Sequence, residues 1–127
     1  MGTLPIELSY AACKTVGKYE GNYVWYTLLC FPEVAKTNCY TYNGTAVEAA
    51  QSATIAHYGT SLGVYIENPM AIGGQLPGNN AVEVLRDNKW IRQDDFPFCD
   101  YIADYSAVSM TGVLYLFGNQ IIWIFKI

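Results

Sequence analysis

The order of apolar and polar positions along the chain predicts a protein built mostly from short antiparallel strands. Several segments are rich in aromatic and β-branched residues, and some alternate with polar residues, as strands do. The predicted strands cover residues 23–29, 39–42, 62–66, 81–85, 89–92, 113–117 and 121–125. Asp87-Asn88 and Gly118-Asn119 separate the last two pairs of strands and suit tight hairpin turns. Residues 68–80 and 94–105 are predicted to be irregular.

One helix is predicted over residues 45–58. Thr45 and Glu48 match the capping box, in which the two side chains satisfy free backbone N–H groups at a helix start. The following alanine-rich run has high helix propensity, and Gly59 stands where a left-handed C-cap residue is expected. The small face of this helix, suited to close packing on a sheet, would consist of Ala46, Ala50, Ala53 and His57.

These elements predict an α+β fold, mainly β with one α-helix. We expect a small antiparallel β-sandwich or barrel with the helix at 45–58 packed on it. With 127 residues the chain has room for a single core, so residues 1–127 are expected to form a single domain. Residues 1–10 are expected to form an extended N-terminal arm, because Pro5 lacks an N–H and its neighbours lack helical spacing.

The C-terminal hairpin is almost continuously apolar, from Val113 to Phe117 and again from Ile121 to Phe125. A strand with one solvated face should alternate instead. Both faces of this hairpin are therefore expected to be covered. Either it lies at the centre of a sandwich, or one face is an interface with another chain.

Composition and charge exclude several classes of protein. Apolar residues make up 52% of the chain and charged residues 14%, against about 25% charged in an average domain, which excludes intrinsic disorder and a coiled coil. The net charge is −4, and the seven basic residues are scattered, so neither nucleic acid nor a membrane is an expected partner. The longest apolar stretch, 113–127, is too short to span a bilayer.

The four cysteines have no metal-binding or redox spacing. They are Cys13, Cys30, Cys39 and Cys99. The N-terminus shows no signal peptide, so synthesis in a reducing cytoplasm is expected. The favoured interpretation is therefore four buried free thiols that behave as small hydrophobic residues, and two disulfides in any of three pairings remain open.

Candidate chemistry is sparse, and the chain is expected not to be an enzyme and to need no cofactor or metal. His57 is the only histidine, and it is expected to be an ordinary, partly buried imidazole without an orienting partner. The acidic residues Asp94, Asp95, Asp100 and Asp104 are expected to form a solvated loop, and cation binding there is left open. A chemistry based only on Asp94 and Asp100 is the one enzymatic alternative.

Aromatic residues are unusually frequent, with 11 tyrosines in the chain. The first third contains Tyr19, Tyr23, Trp25, Tyr26, Tyr40 and Tyr42. Tyrosine and tryptophan are enriched at interfaces, and their rings on a sheet can also stack sugars or bases. An interface is therefore as well supported by this pattern as an ordinary sheet core.

Part of the chain resembles a family of viral proteins. The residues that carry the resemblance are GTSLGVY from Gly59, the pair Gly73-Gly74, and VEVLRDNKW from Val82. This order of a short strand, a glycine-rich loop, a second strand, a turn and an aromatic strand resembles the capsid decoration, or cement, proteins of tailed bacteriophages. The resemblance covers residues 59–92, about a third of the chain, and leaves out the predicted helix and the C-terminal hairpin.

The resemblance implies a β-rich structural protein of the virion. Such a protein, made in the host cytoplasm, would bind the outer surface of the capsid shell and bridge coat subunits, with the major capsid protein or another virion protein as partner. Self-association is left open. The candidate docking residues are Leu4, Pro5 and Ile6 in the arm, Tyr23, Trp25 and Tyr26 in the first predicted strand, and Trp123 in the last.

The alternative function is a small cytosolic protein that sequesters a ligand such as a nucleotide. In that interpretation residues 69–80 would form a lid. Arg86 or Arg92 would contact a phosphate group.

Overall fold

All the regular secondary structure in the described part of the protein is β-sheet. A computed structural model describes residues 11–19, 21–65, 67–74, 80–96, 106–110, 113–118 and 121–125. The strands are β1 (Ala12–Tyr19), β2 (Tyr23–Cys30), β3 (Cys39–Tyr42), β4 (Val47–Ala50), β5 (Leu62–Tyr65), β6 (Asn68–Ile72), β7 (Val82–Arg86), β8 (Lys89–Gln93), β9 (Ser106–Met110), β10 (Val113–Gly118) and β11 (Ile121–Phe125).

The strands form three antiparallel sheets. The first sheet has the order β1-β2-β3-β4, the middle sheet β5-β6-β7-β8, and the C-terminal sheet β11-β10-β9. Neighbouring strands within each sheet are consecutive in the sequence. In these described ranges no helix is long and apolar enough to cross a membrane.

The middle sheet is buried on both faces. On one face Ala71 and Leu85 pack in a cluster with Leu28 and Cys30 of the first sheet. On the other face the cluster consists of Met70, Ile72, Val82, Val84 and Phe96, together with Leu114 and Leu116 of the C-terminal sheet. The first and C-terminal sheets therefore cover opposite faces of the middle sheet.

The predicted α-helix at 45–58 is wrong, and the fold is all-β rather than α+β. The side chain of Asn43 accepts hydrogen bonds from the backbone N–H groups of Thr45 and Ala46, both at 2.9 Å, which makes a turn instead of a helix start. The next four residues form β4, which pairs with β3. Strand pairing thus overrides the helix propensity of the alanines.

Residues 51–61 cross from the first sheet to the middle sheet without regular structure. Several of their N–H groups find acceptors far along the chain rather than four residues back, as a helix would require. Ala53 donates to the carbonyl of Thr37 at 2.9 Å, and His57 donates to the carbonyl of Lys36 at 3.1 Å. The sequence signals that favour a helix involve neighbouring residues. The carbonyl groups that accept these hydrogen bonds lie many positions away, so the local signals do not predict them.

The hairpins were predicted more accurately than the loops. Asp87 and Asn88 have φ values of 50° and 63°, which confirms the positive-φ turn between β7 and β8. The C-terminal hairpin of β10 and β11 is also confirmed. The predicted loop at 68–80 is wrong in its first part, where β6 pairs with β5 and β7, and β1 and β9 were not predicted.

The interpretation of four buried free thiols is wrong for all three described cysteines. Cys30 and Cys39 form a disulfide. They are register partners on β2 and β3, which brings their Cα atoms to 4.1 Å. Cys13 is free and exposed, and Cys99 lies outside the described residues.

Candidate functional site

Three exposed aromatic side chains form a row on the outer face of the first sheet. Tyr19, Tyr23 and Trp25, here called the aromatic ladder, are 69%, 59% and 62% exposed. The rings of Tyr19 and Tyr23 meet edge to face with centroids 5.8 Å apart, and those of Tyr23 and Trp25 stack at 5.9 Å. Ring-to-ring packing holds the row in a defined geometry while most of its surface stays open to solvent.

Strand alternation explains why the ladder points outward. Side chains two apart on a strand share a face, and Leu28 and Cys30 carry the other face of β2 into the core. Tyr23 pairs with Tyr19 across the hairpin, and Trp25 pairs with Gly17. In this part β2 pairs only with β1, because pairing with β3 begins at Thr27. The ladder therefore occupies the two-stranded tip of the β1–β2 hairpin.

Gly17 sets the height of the rings above the sheet. A Cβ at this position would lie 3.0 Å from two carbons of the Trp25 ring and 3.1 Å from a carbon of the Tyr23 ring, closer than side chains normally approach. The end of the indole therefore lies across the strand pair, over the bare backbone of β1. A glycine weakens a strand, and covering it with an aromatic ring compensates for that loss.

Two shallow grooves flank Trp25. One, of about 230 Å³, includes Thr15, Thr27 and Tyr42, and the other, of about 240 Å³, includes Tyr19, Tyr23, Val64 and Glu67. The hydroxyls of Thr15 and Thr27 are 3.2 Å apart and exposed. An apolar platform with hydroxyl groups at its edge is thus available to a ligand on this face.

A second apolar surface lies on the C-terminal sheet. Its members alternate with the buried Leu114 and Leu116, and we call it the C-terminal outer face. It comprises Val108, Met110, Val113, Tyr115 and Phe117. Phe117 and Met110 are 42% and 51% exposed. The described side chains on this face carry no charge. Leu114 and Leu116 cover the inner face of β10 against the middle sheet, and the second predicted arrangement, an interface with another chain on the outer face, stays a prediction.

The docking residues predicted from the sequence fall in different environments. Tyr23 and Trp25 belong to the ladder, but Tyr26 points to the opposite side of β2 and packs partly buried against the core. The backbone of Trp123 pairs with Leu116, and its side chain lies outside the described part. Leu4, Pro5 and Ile6 of the predicted arm also lie outside it. Tyr19 and Gly17 were not among the predicted site residues.

His57 does have an orienting partner, contrary to the sequence prediction. It is fully buried and so is Glu83 of β7. The Nδ1 of His57 lies 2.6 Å from the carbonyl oxygen of Gly73, which can only accept, so Nδ1 donates a hydrogen bond. Its Nε2 lies 2.6 Å from Oε2 of Glu83. The imidazole is held from both sides.

Glu83 is surrounded by donors, which favour its anionic form. The backbone N–H of Thr54 donates to Oε1 at 3.0 Å, that of Ile55 donates to Oε2 at 3.2 Å, and the Thr54 hydroxyl donates to Oε1. A carboxylate that accepts several hydrogen bonds favours its ionised form. His57 and Glu83 thus form a fully buried, hydrogen-bonded polar pair.

Acid is expected to weaken the fold through Glu83. Burial alone raises the pKa of this carboxyl, but hydrogen bonds from His57 and Thr54 outweigh it and lower the pKa from 4.5 to about 2. The stabilisation is complete above the unfolded value and is lost as the pH falls towards the folded value. We expect the free energy of unfolding to drop by about 3 kcal/mol between about pH 5 and pH 2.

Urea unfolding at a series of pH values measures this drop. A Glu83→Gln variant should show a flatter profile over the same interval, since it has no carboxyl to protonate. Equal slopes in the two proteins would contradict the assignment.

The remaining candidate chemistry is dispersed. Asp95 receives a hydrogen bond from Arg92 at 2.6 Å, so this arginine of the ligand-binding alternative is already paired. Neither ladder groove is lined by an arginine. Asp100 and Asp104 lie outside the described residues, and among the residues described no group of three or more metal-ligating side chains occurs.

Comparison with known proteins adds no relative: no protein-family model matches the chain, and no curated protein matches it.

Proposed function

We propose that this chain is a non-enzymatic structural protein of a virion that docks its C-terminal outer face on the capsid shell. The observation that carries the proposal is this uncharged apolar surface, in which Met110 and Phe117 are about half exposed on a folded sheet. Side chains of this kind stabilise an interface when they are buried against another protein. The sequence resemblance to capsid decoration proteins supports the coat protein as that partner.

The disulfide supports a location outside the cytoplasm at the end of assembly. Disulfides persist in oxidising surroundings, virion surfaces included, and are rare in proteins that stay in a reducing compartment. The bond between Cys30 and Cys39 is buried. A chain synthesised in the host cytoplasm would first be in a reducing compartment, and once carried on a released particle it would be in oxidising surroundings.

The size of the face indicates how binding would work. One face of a three-stranded sheet with five residues per strand covers roughly 240 Å² in projection, well under the roughly 800 Å² that each partner contributes to a standard interface. A single contact would therefore be weak. The repeated sites of a shell would add binding energy if each copy bridges neighbouring subunits.

Co-sedimentation with assembled shells of the coat protein from the same genome tests the proposal. The wild-type chain should pellet with shells and not with unassembled coat subunits. Substituting both Met110→Ser and Phe117→Ser should weaken shell binding about tenfold or more, because it removes the two most exposed apolar side chains.

The matched control is the pair Tyr23→Ser and Trp25→Ser on the first sheet, which should leave shell binding unchanged. A wild-type chain that does not pellet with shells contradicts the proposed function. Loss of shell binding in the control pair alone would contradict the assignment of the docking face.

A further inference from the structure

We propose that the aromatic ladder is a binding site for neutral polysaccharide. This site is separate from the C-terminal outer face, because the first and C-terminal sheets cover opposite faces of the middle sheet. Its use therefore does not depend on shell docking. The ligand class follows from the orientation of the rings, the groups beside them and the charge of the grooves.

The orientation of Trp25 favours a flat ligand. Because its indole lies across the hairpin over Gly17, one side of the ring is against the backbone, and 62% of the side chain is open. Pyranose rings have an apolar side of C–H groups that stacks on such an aromatic surface. Aromatic anchors of protein interfaces instead fill desolvated pockets of the partner, which a side chain lying along the sheet cannot do.

The groups beside the ring suit sugar hydroxyls. Thr15 and Thr27 present two hydroxyls on one side of Trp25; they hydrogen-bond to each other, which leaves one O–H donor and further acceptor lone pairs for a ligand. On the other side the ring of Tyr23 continues the platform, with the carboxylate of Glu67 at the edge of the groove. A saccharide chain would thus find both stacking surface and hydrogen-bonding partners along the hairpin.

The charge of the grooves disfavours anionic ligands. Among the described side chains that line the two grooves there is no lysine or arginine, and the one charged residue is Glu67. Nucleic acids and sulfated glycans need clustered cations to replace their counterions. Nucleic-acid bases could also stack on these rings, but their phosphates would find no described cation in the grooves. Neutral sugars are therefore the favoured ligands.

Affinity electrophoresis and pull-down with four neutral polysaccharides (cellulose, chitin, dextran and mannan) test the inference, with heparin as the charged comparison. The wild-type chain should bind at least one neutral polysaccharide and should not bind heparin. Trp25→Ala and Tyr23→Ala should each weaken that binding about tenfold or more. Phe117→Ala, an exposed aromatic on the C-terminal sheet, is the matched control and should bind as the wild type does.

Gly17→Val separates the geometry of the platform from its composition. Valine is favoured in strands, so the fold should be kept, with an unchanged or higher unfolding midpoint in urea. Its side chain would push the rings of Trp25 and Tyr23 off the backbone. Polysaccharide binding should fall about tenfold although all three aromatic residues remain.

Three outcomes would overturn the inference. The first is no binding of any of the four neutral polysaccharides at millimolar saccharide concentration. The second is binding that survives Trp25→Ala. The third is binding of purified coat protein that Trp25→Ala abolishes, which would make the ladder a protein-docking surface. Shell binding is measured by co-sedimentation and polysaccharide binding by a different assay. Failure of the proposed function and failure of this inference can therefore be told apart.

Discussion

Glu83→Ala is expected to lower the free energy of unfolding by about 3–5 kcal/mol, the largest effect of any single substitution considered for this protein. The substitution leaves the buried ring of His57 without its partner at Nε2. It also removes the acceptor for the N–H groups of Thr54 and Ile55. Removing one partner of a buried polar pair costs more than the pair itself contributes, because the other polar groups stay desolvated and unsatisfied.

Urea unfolding at neutral pH measures the effect. Glu83→Gln should cost less than Glu83→Ala, since the amide keeps one acceptor oxygen. Glu48 of β4 is exposed, and Glu48→Ala is the matched control, expected within about 0.5 kcal/mol of the wild type.

A double-mutant cycle shows whether the cost comes from the pair. His57→Ala in the Glu83→Ala background should add much less than it costs in the wild type, since in that background the histidine has already lost its hydrogen bond to Glu83. Strictly additive losses would contradict a coupled pair. A stable, fully folded Glu83→Ala protein would contradict the role assigned to the buried carboxylate.

The burial of Glu83 is a feature that the local sequence pattern does not predict. In the segment VEVL it alternates with apolar residues, a pattern that predicts a polar side chain on the solvated face of a strand. The face is instead covered by residues 51–61, whose backbone donors Glu83 satisfies. The same contact explains why those residues do not form the predicted helix. One tertiary interaction between distant segments thus reversed both local predictions.

Local features were predictable where the cause was local. The turn at Asp87 and Asn88 and the two hairpins follow from residues that are adjacent in the chain. Tyr23 and Trp25 were named as interface candidates because tyrosine and tryptophan are enriched at interfaces, and the structure shows them on one exposed face. The part played by Gly17 was not predictable, because it depends on the register of β1 against β2.

The disulfide was missed for a related reason. Cys39 lies nine positions after Cys30, a spacing that matches no redox or zinc motif. Their pairing depends on β2 and β3 lying antiparallel in one particular register, with the two residues opposite each other. A shift by one residue would have turned the two thiols to opposite faces of the sheet.

Removing this disulfide is expected to have the second largest effect on stability. Replacing Cys30→Ala together with Cys39→Ala should lower the free energy of unfolding by about 3 kcal/mol, the value that the loss of loop-closure entropy gives for a loop of this length. Alanine avoids placing a hydroxyl group in the core, where both cysteines are buried. Urea unfolding measures the loss, and Cys13→Ala, at the exposed free thiol, should leave stability unchanged.

A reductant distinguishes the lost bond from a packing defect. Dithiothreitol should move the unfolding midpoint of the wild type towards that of the double variant and should not move the variant's own midpoint. A wild type whose stability is the same with and without reductant, while the thiols of Cys30 and Cys39 react with a labelling reagent, would contradict a stabilising disulfide. If the expected shift is found, the chain reaches its full stability only after it meets an oxidising environment, as a protein carried on a released particle would.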